Sequence, residues 1–102
     1  MKAYKLVRLK KDGNIYSLFI NKKEPLVTGE WLPAKDYPTD GYAHRPGWHC
    51  TLKPEAPHLS KKGRVWVEVD VDDFKFFKRP ESQGGEWVLA QRMKINRLLL
   101  DI

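Results

Sequence analysis

"RVWVEVDVDDF", residues 64–74, decides the fold. Its apolar residues recur at every second position. Val65, Val67, Val69 and Val71 fall on one side of an extended chain, and Trp66, Glu68, Asp70 and Asp72 on the other. Successive strand side chains point to opposite faces, so this spacing predicts a strand with one core face and one largely wet face. Trp66 stands apart on the wet side: it either packs under a second layer or meets a partner.

The same period of two runs outward in both directions. "AYKLVRL" sets Tyr4, Leu6 and Arg8 on one face and Lys5, Val7 and Leu9 on the other. Asp12-Gly13 then supplies a tight turn, because Gly and Asp tolerate the positive φ such turns need. Residues 15–20 are the expected return strand. "EPLVTGEWLPA" reads as an edge segment, since Pro25 and Pro33 cannot donate to a central ladder. Residues 34–47 hold two prolines and two glycines and read as loop. "WHCTL" is a short strand, with Pro46-Gly47 suited to a type II turn before it. Pro54 is suited to the first turn of a short helix. "DDFKFFKRP" fits a helical turn or an extended segment. Residues 87–101 fit one or two closing strands bent near 91–94, or a helix, because Leu89, Met93, Arg97 and Leu100 also sit near helical spacing. The expectation is a β-rich α+β fold. It is a single domain over residues 1–102, with a small split or curved antiparallel sheet and one or two short helices.

Composition limits what such a domain does. A chain of 102 residues makes one domain with one modest core. With 41% hydrophobic and 12% aromatic residues it is a folding sequence, not a disordered one. No apolar run approaches the roughly 18 residues that span a bilayer. "MKAYKLVRLKKDG" alternates and is broken by charges, unlike the apolar core of a signal peptide. A cytoplasmic protein without a membrane role is expected, and one cysteine forms no internal disulfide. The net charge of +6 favours anionic partners: nucleic acid, an acidic protein surface or an anionic small molecule.

"GYAHRPGWHCTLKPEAPHLS", residues 41–60, contains all three histidines, His44, His49 and His58, and the single cysteine, Cys50. Four N or S donors invite a zinc reading, but His49 and Cys50 are adjacent and point to opposite faces of a strand, and no CxxC or HxxxH pair is present. The pattern therefore names no metal ligands. A Cys–His nucleophile pair needs a depressed thiol pKa, whereas a lone Cys is usually a small buried hydrophobe. His44, Arg45 and His49 are better read as polar cleft residues and Cys50 as a packed neighbour.

Segment order adds a resemblance. "GWHCTLKPEAPHLSKKGRVWVEVDV" followed by "GGEWVLAQRMKINRLLL" resembles the split β core of ADP-ribosyltransferase-like proteins over about residues 41–101. There a Gly–aromatic–x–x–Thr/Ser strand leads to a short helix, and a later strand opens on a catalytic glutamate. The resemblance implies that Glu86 is catalytic, orienting a nicotinamide ribose and stabilising an oxocarbenium-like transition state. It implies that Cys50 and Thr51 occupy the serine/threonine strand, that Arg8 holds the cofactor, and that the cofactor is NAD. The carboxylate role is physically sound in a water-excluded cleft. The chain departs from that family in its turn-rich residues 10–47 and in lacking Ser-Thr-Ser and Glu-x-Glu motifs. The whole chain also resembles small uncharacterised proteins of bacteriophages and prophages, through "LFIN", "GEW", "RPGWHC", "APHLS" and "RPESQGG". That implies an accessory role in host takeover or counter-defence, in the host cytoplasm.

Trp31, Trp48, Trp66 and Trp87 interleave with Arg45, Lys53, Arg64 and Arg79, a combination that binds single-stranded nucleic acid when exposed. In a small β domain, tryptophans are mostly core. The expected function is a small basic binding protein that engages a host protein or nucleic acid. Its binding residues are Arg8, His44, Arg45, Trp48, His49 and Thr51. The alternatives are an NAD-dependent ADP-ribosyltransferase-like enzyme acting through Glu86, and a nucleic-acid-binding module.

Overall fold

The computed structural model describes residues 1–18, 23–34, 47–56 and 59–100. His44, Arg45, Pro46 and His58, read above as loop or site residues, lie outside them. Among the described residues six antiparallel strands carry the fold: β1 (Lys2–Leu9), β2 (Ile15–Tyr16), β3 (Trp31–Pro33), β4 (Trp48–Thr51), β5 (Arg64–Lys78) and β6 (Glu86–Leu99).

Their pairings close a ring. β5 pairs along one edge with β1, from Lys2↔Asp70 to Arg8↔Arg64, and along the other with β6. β6 pairs on its far edge with β4 and β3, and β4 returns to β1 through Tyr4↔Thr51. A second closure runs from β2 through the Ile15↔Leu26 bridge to Thr28↔Ile95 on β6. Closing a sheet on itself pairs edges that would otherwise face water. Among the described residues β3 pairs only with β6 and so lies at an edge, in keeping with Pro33 as its last residue.

The valine face of β5 lines the inside. Val65, Val67, Val69 and Val71 are buried there with Ala3, Val7, Ile15, Cys50, Val88, Ala90, Met93 and Ile95. Trp66 is resolved in favour of the second layer. It is 3% exposed and lies outside the ring with Leu6, Leu18, Ala56, Trp87 and Leu99, where the segment after β4 covers the sheet. Glu68 is buried on the same outer face, not wet. Its carboxylate accepts from Arg97 Nε and Nη2 at 3.3 and 3.1 Å, and Lys2 Nζ stands 3.6 Å away.

The undecided segments are strands. Residues 74–78 continue β5, and the helical spacing of 89–100 is two interruptions of a strand. At Glu68/Val69 the register slips, because Glu68 pairs Arg97 while Val69 pairs Ile95; Asn96 is the extra residue of a bulge. At Asp73, across from Gln91, the register is kept from Asp72↔Arg92 to Phe74↔Ala90 but the pairing is interrupted, and Asp73 adopts φ 50°; Ala90 and Met93, three apart, both lie in the inner cluster. Each interruption turns the period of two into a step of three.

The helices expected are not seen. Among the described residues the only helical piece is a three-residue 3-10 turn, Glu81–Gln83, and residues 52–54 after β4 are a bend. Of the return strand expected over 15–20, β2 covers Ile15–Tyr16; residues 17 and 18 are not strand, although Leu18 is buried, and residues 19 and 20 lie outside the described residues. The Asp12-Gly13 turn forms as read, with Gly13 at φ 84° and its N–H donating to the Lys10 carbonyl. Gly47 is required on two counts. Its φ is 137°, and a Cβ there would stand 2.8 Å from Leu89 Cδ1. No helix of the described residues is long and apolar enough to cross a membrane.

Candidate functional site

The sequence-derived site residues fall into two separate places. Tyr4, Thr51 and Trp87 form one cross-strand row. Arg8 lies four residues along β1 to one side of that row, and Glu86 one residue along β6 to the other. At about 3.3 Å per residue they stand roughly 16 Å apart along the strands, before any lateral offset. Glu86 is exposed at the start of β6, opposite Lys78. By strand alternation it shares the face of Val88, whereas His49 and Thr51 share the face of Leu89 and Trp87. The structure thus does not gather Arg8, Glu86, His49 and Thr51 into one cleft.

The β4 residues are engaged in holding the ring together. The Trp48 indole N–H donates to the Leu32 carbonyl at 2.8 Å, tying β4 to β3. Thr51 Oγ1 lies 2.5 Å from the Lys53 carbonyl and 3.3 Å from the Tyr4 carbonyl; its one proton donates to one of them at a time. His49 stands edge-on to Phe77, ring centroids 5.7 Å apart.

Cys50 is 0% exposed on the inner face, and burial pushes its thiol up to about 11. That is the opposite of what a nucleophilic cysteine needs. Lys5, from β1, reaches toward the same interior. Its ammonium donates to the His49 carbonyl at 2.9 Å, and burial lowers its pKa. The thiol has a definite consequence for stability. Its folded pKa is raised from 9.0, so it ionises first in the unfolded chain. Unfolding is then favoured as pH rises through the window from 9 to 11. At pH 7 we expect Cys50→Ala to be the less stable by about 1 kcal/mol, from the lost sulfur. By pH 11 the wild type loses about 2 kcal/mol that the variant does not, reversing the order. Urea unfolding at both pH values checks this; parallel pH profiles would contradict it.

A different cluster is built where β1 ends and β5 begins. Arg8 and Arg64 are direct cross-strand partners, and the Leu9 N–H donates to the Gly63 carbonyl at 3.0 Å. This seats the turn at 10–13 beside the turn at 61–63. Segments 8–12 and 60–64 together contain Arg8, Lys10, Lys11, Lys61, Lys62 and Arg64 against one carboxylate, Asp12. They carry five of the six excess positive charges of the whole chain. The four lysines are exposed and the two arginines half-buried.

Asp12 is itself occupied. It accepts from the Asn14 N–H at 2.9 Å and the Tyr16 hydroxyl at 2.8 Å, and these donors hold its carboxyl below the usual range. Lys10 Nζ sits 3.9 Å over the Tyr16 ring, and Arg64 Nη1 donates to the Ser60 carbonyl at 3.0 Å. Like charges directly opposite on paired strands cost stability. The chain nevertheless sets Arg8 against Arg64 at the end where its lysines already concentrate.

No family model, curated protein or solved structure matches the chain.

Only Arg8 of this cluster stood among the sequence-derived binding residues, and it did so as a cofactor ligand. The available signal was the pair of Lys-Lys doublets, each just before a glycine turn, at matching ends of two strands.

Proposed function

We propose that this chain is a small binding domain whose partner is a nucleic acid, gripped through its phosphates at the basic end. The observation that supports it is the concentration of five of six excess charges in two turns that the β1–β5 pairing brings together. Such a patch neutralises a polyanion, and its release of counterions makes affinity fall steeply with salt. If the chain is phage-encoded, the role proposed is host takeover or counter-defence in the host cytoplasm. The reading as an α+β, NAD-dependent transferase has less behind it, because Arg8 and Glu86 lie at different places on the ring.

Fluorescence anisotropy with labelled single- and double-stranded 20-mers tests the proposal. About five phosphate contacts predict a slope of log K against log salt of about −4.5 on duplex and about −3.5 on single strands. Affinity should therefore fall about 500-fold on duplex and about 100-fold on single strands between 50 and 200 mM salt. Absent binding at 50 mM salt, or binding indifferent to salt, would rule it out. A melting-point rise with NAD and none with oligonucleotide would favour the enzyme instead.

A further inference from the structure

Of the four tryptophans, Trp31 alone is exposed. Trp66 and Trp87 are buried in the outer layer, and Trp48 packs against the inner cluster with its N–H on the Leu32 carbonyl. Trp31 is 43% exposed on β3. It stands directly opposite Lys94 on β6, and Lys94 stands opposite Asp70 on β5. Directly opposite residues of a ladder share a face, so Trp31 lies on the outer face, the face that alternation along β5 also gives to Trp66 and Arg64. One continuous face therefore runs from the basic end to Trp31. Asp70 is six residues from Arg64, and Trp31 is two strands from Asp70, so the two places are roughly 22 Å apart over the surface.

Three cations of β6 line that path, Arg97, Lys94 and Arg92, opposite Glu68, Asp70 and Asp72 of β5. Cations and carboxylates match in number, so the path adds no excess charge to that of the basic end. Its distinctive group is the indole, with Arg92 and Lys94 about the ring at 5.3 and 5.4 Å.

We propose that the partner at the basic end is a single-stranded nucleic acid, one of whose bases stacks on Trp31. This rests on the reading of the basic end as a phosphate grip. Sites for single strands combine cationic groups that hold the backbone with an aromatic ring that receives a base, and an arginine beside the ring adds to the stacking. Contacts with Arg92 and Lys94 already order the indole, so it loses little freedom when a base arrives. A duplex keeps the faces of its bases inside its own stack, and only an unpaired base offers one to a side chain. The two places thus divide the work. The basic end sets the dependence on salt, and Trp31 adds affinity that is nearly independent of salt and confined to single strands.

The test is fluorescence anisotropy of the intact chain with a labelled single-stranded 20-mer, as DNA and as RNA, and with the duplex of the same sequence. The single strand held more tightly identifies the sugar. Trp31→Ala should weaken single-strand binding roughly 5- to 150-fold, leave the salt slope near −3.5, and leave duplex binding unchanged. Lys62→Gln should instead weaken both forms and reduce both slopes. Trp31→Phe keeps a ring and should bind nearly as the wild type, but lose most of the quenching of tryptophan emission that an unlabelled single strand produces. Single-strand binding by Trp31→Ala as tight as that of the wild type overturns the stacking site and leaves the phosphate grip standing. So does an equal loss on single strand and duplex, or quenching undiminished in Trp31→Phe. A wild type that binds neither form overturns both readings.

Discussion

Trp66→Ala is expected to cost about 3–5 kcal/mol, most of the stability of a domain this size. The side chain lies outside the ring, on the face that alternation predicts to be wet. Its energetic weight comes from the second layer. Leu6 on β1 and Leu99 on β6 flank it as its two direct cross-strand partners, and Leu18, Ala56 and Trp87 complete the cluster. Truncation to alanine removes the indole that these neighbours share and leaves a void that the paired strands cannot close, since their spacing is set by the ladder. Trp31→Ala is the matched control. Trp31 sits on edge strand β3, 43% exposed, with Arg92 and Lys94 about its ring at 5.3 and 5.4 Å. Its loss should stay within about 0.5 to 1 kcal/mol. Urea unfolding of both variants decides the matter. Equal costs at the two positions would mean that the outer layer contributes no more than an exposed edge contact.

Trp66 also marks the limit of reading this sequence. The alternation of 64–71 identifies the strand and its inner valines without help, because both edges of that stretch are paired and the period is unbroken. It does not say what covers the other face, because the cover comes from residues far along the chain: Leu18, Ala56 and Leu59. β6 was ambiguous for a different reason. Ala90 and Met93, and likewise Ile95 and Leu98, are three apart and all turned toward the inner cluster. A kink at Gln91 and a bulge at Asn96 produce those steps, and a strand interrupted twice in this way imitates a helical period. The basic end was illegible for a third reason. Its two halves are fifty residues apart, and only the pairing of Arg8 with Arg64 makes them one surface. Asp73 gave no warning at all, since nothing in "VDVDDFKFF" distinguishes the aspartate that turns left-handed from its neighbours.

Arg8→Gln and Arg64→Gln should move stability and binding in opposite directions. The two guanidinium groups are direct cross-strand partners, so each repels the other in the folded chain and much less in the unfolded one. Either substitution alone relieves the repulsion and should stabilise the fold by about 0.2–1 kcal/mol. Arg64→Gln gains less, because its guanidinium also donates to the Ser60 carbonyl. The double variant should gain no more than Arg8→Gln alone, because one repulsion is relieved only once; a double-mutant cycle reads this as a coupling of repulsive sign. Binding behaves differently. Each lost phosphate contact removes about 0.9 log unit of affinity at 0.1 M salt, so the losses add to roughly fifty-fold, and the salt slope shrinks by about 2. A charge pair that costs stability yet adds affinity is what a functional site leaves behind when function and stability conflict. If the double variant is more stable and binds oligonucleotide as tightly as the wild type, the basic end is not the nucleic-acid surface. If it is less stable than the wild type, Arg8 and Arg64 are held by contacts that outweigh their repulsion, and the strain ascribed to this end of the ring is absent.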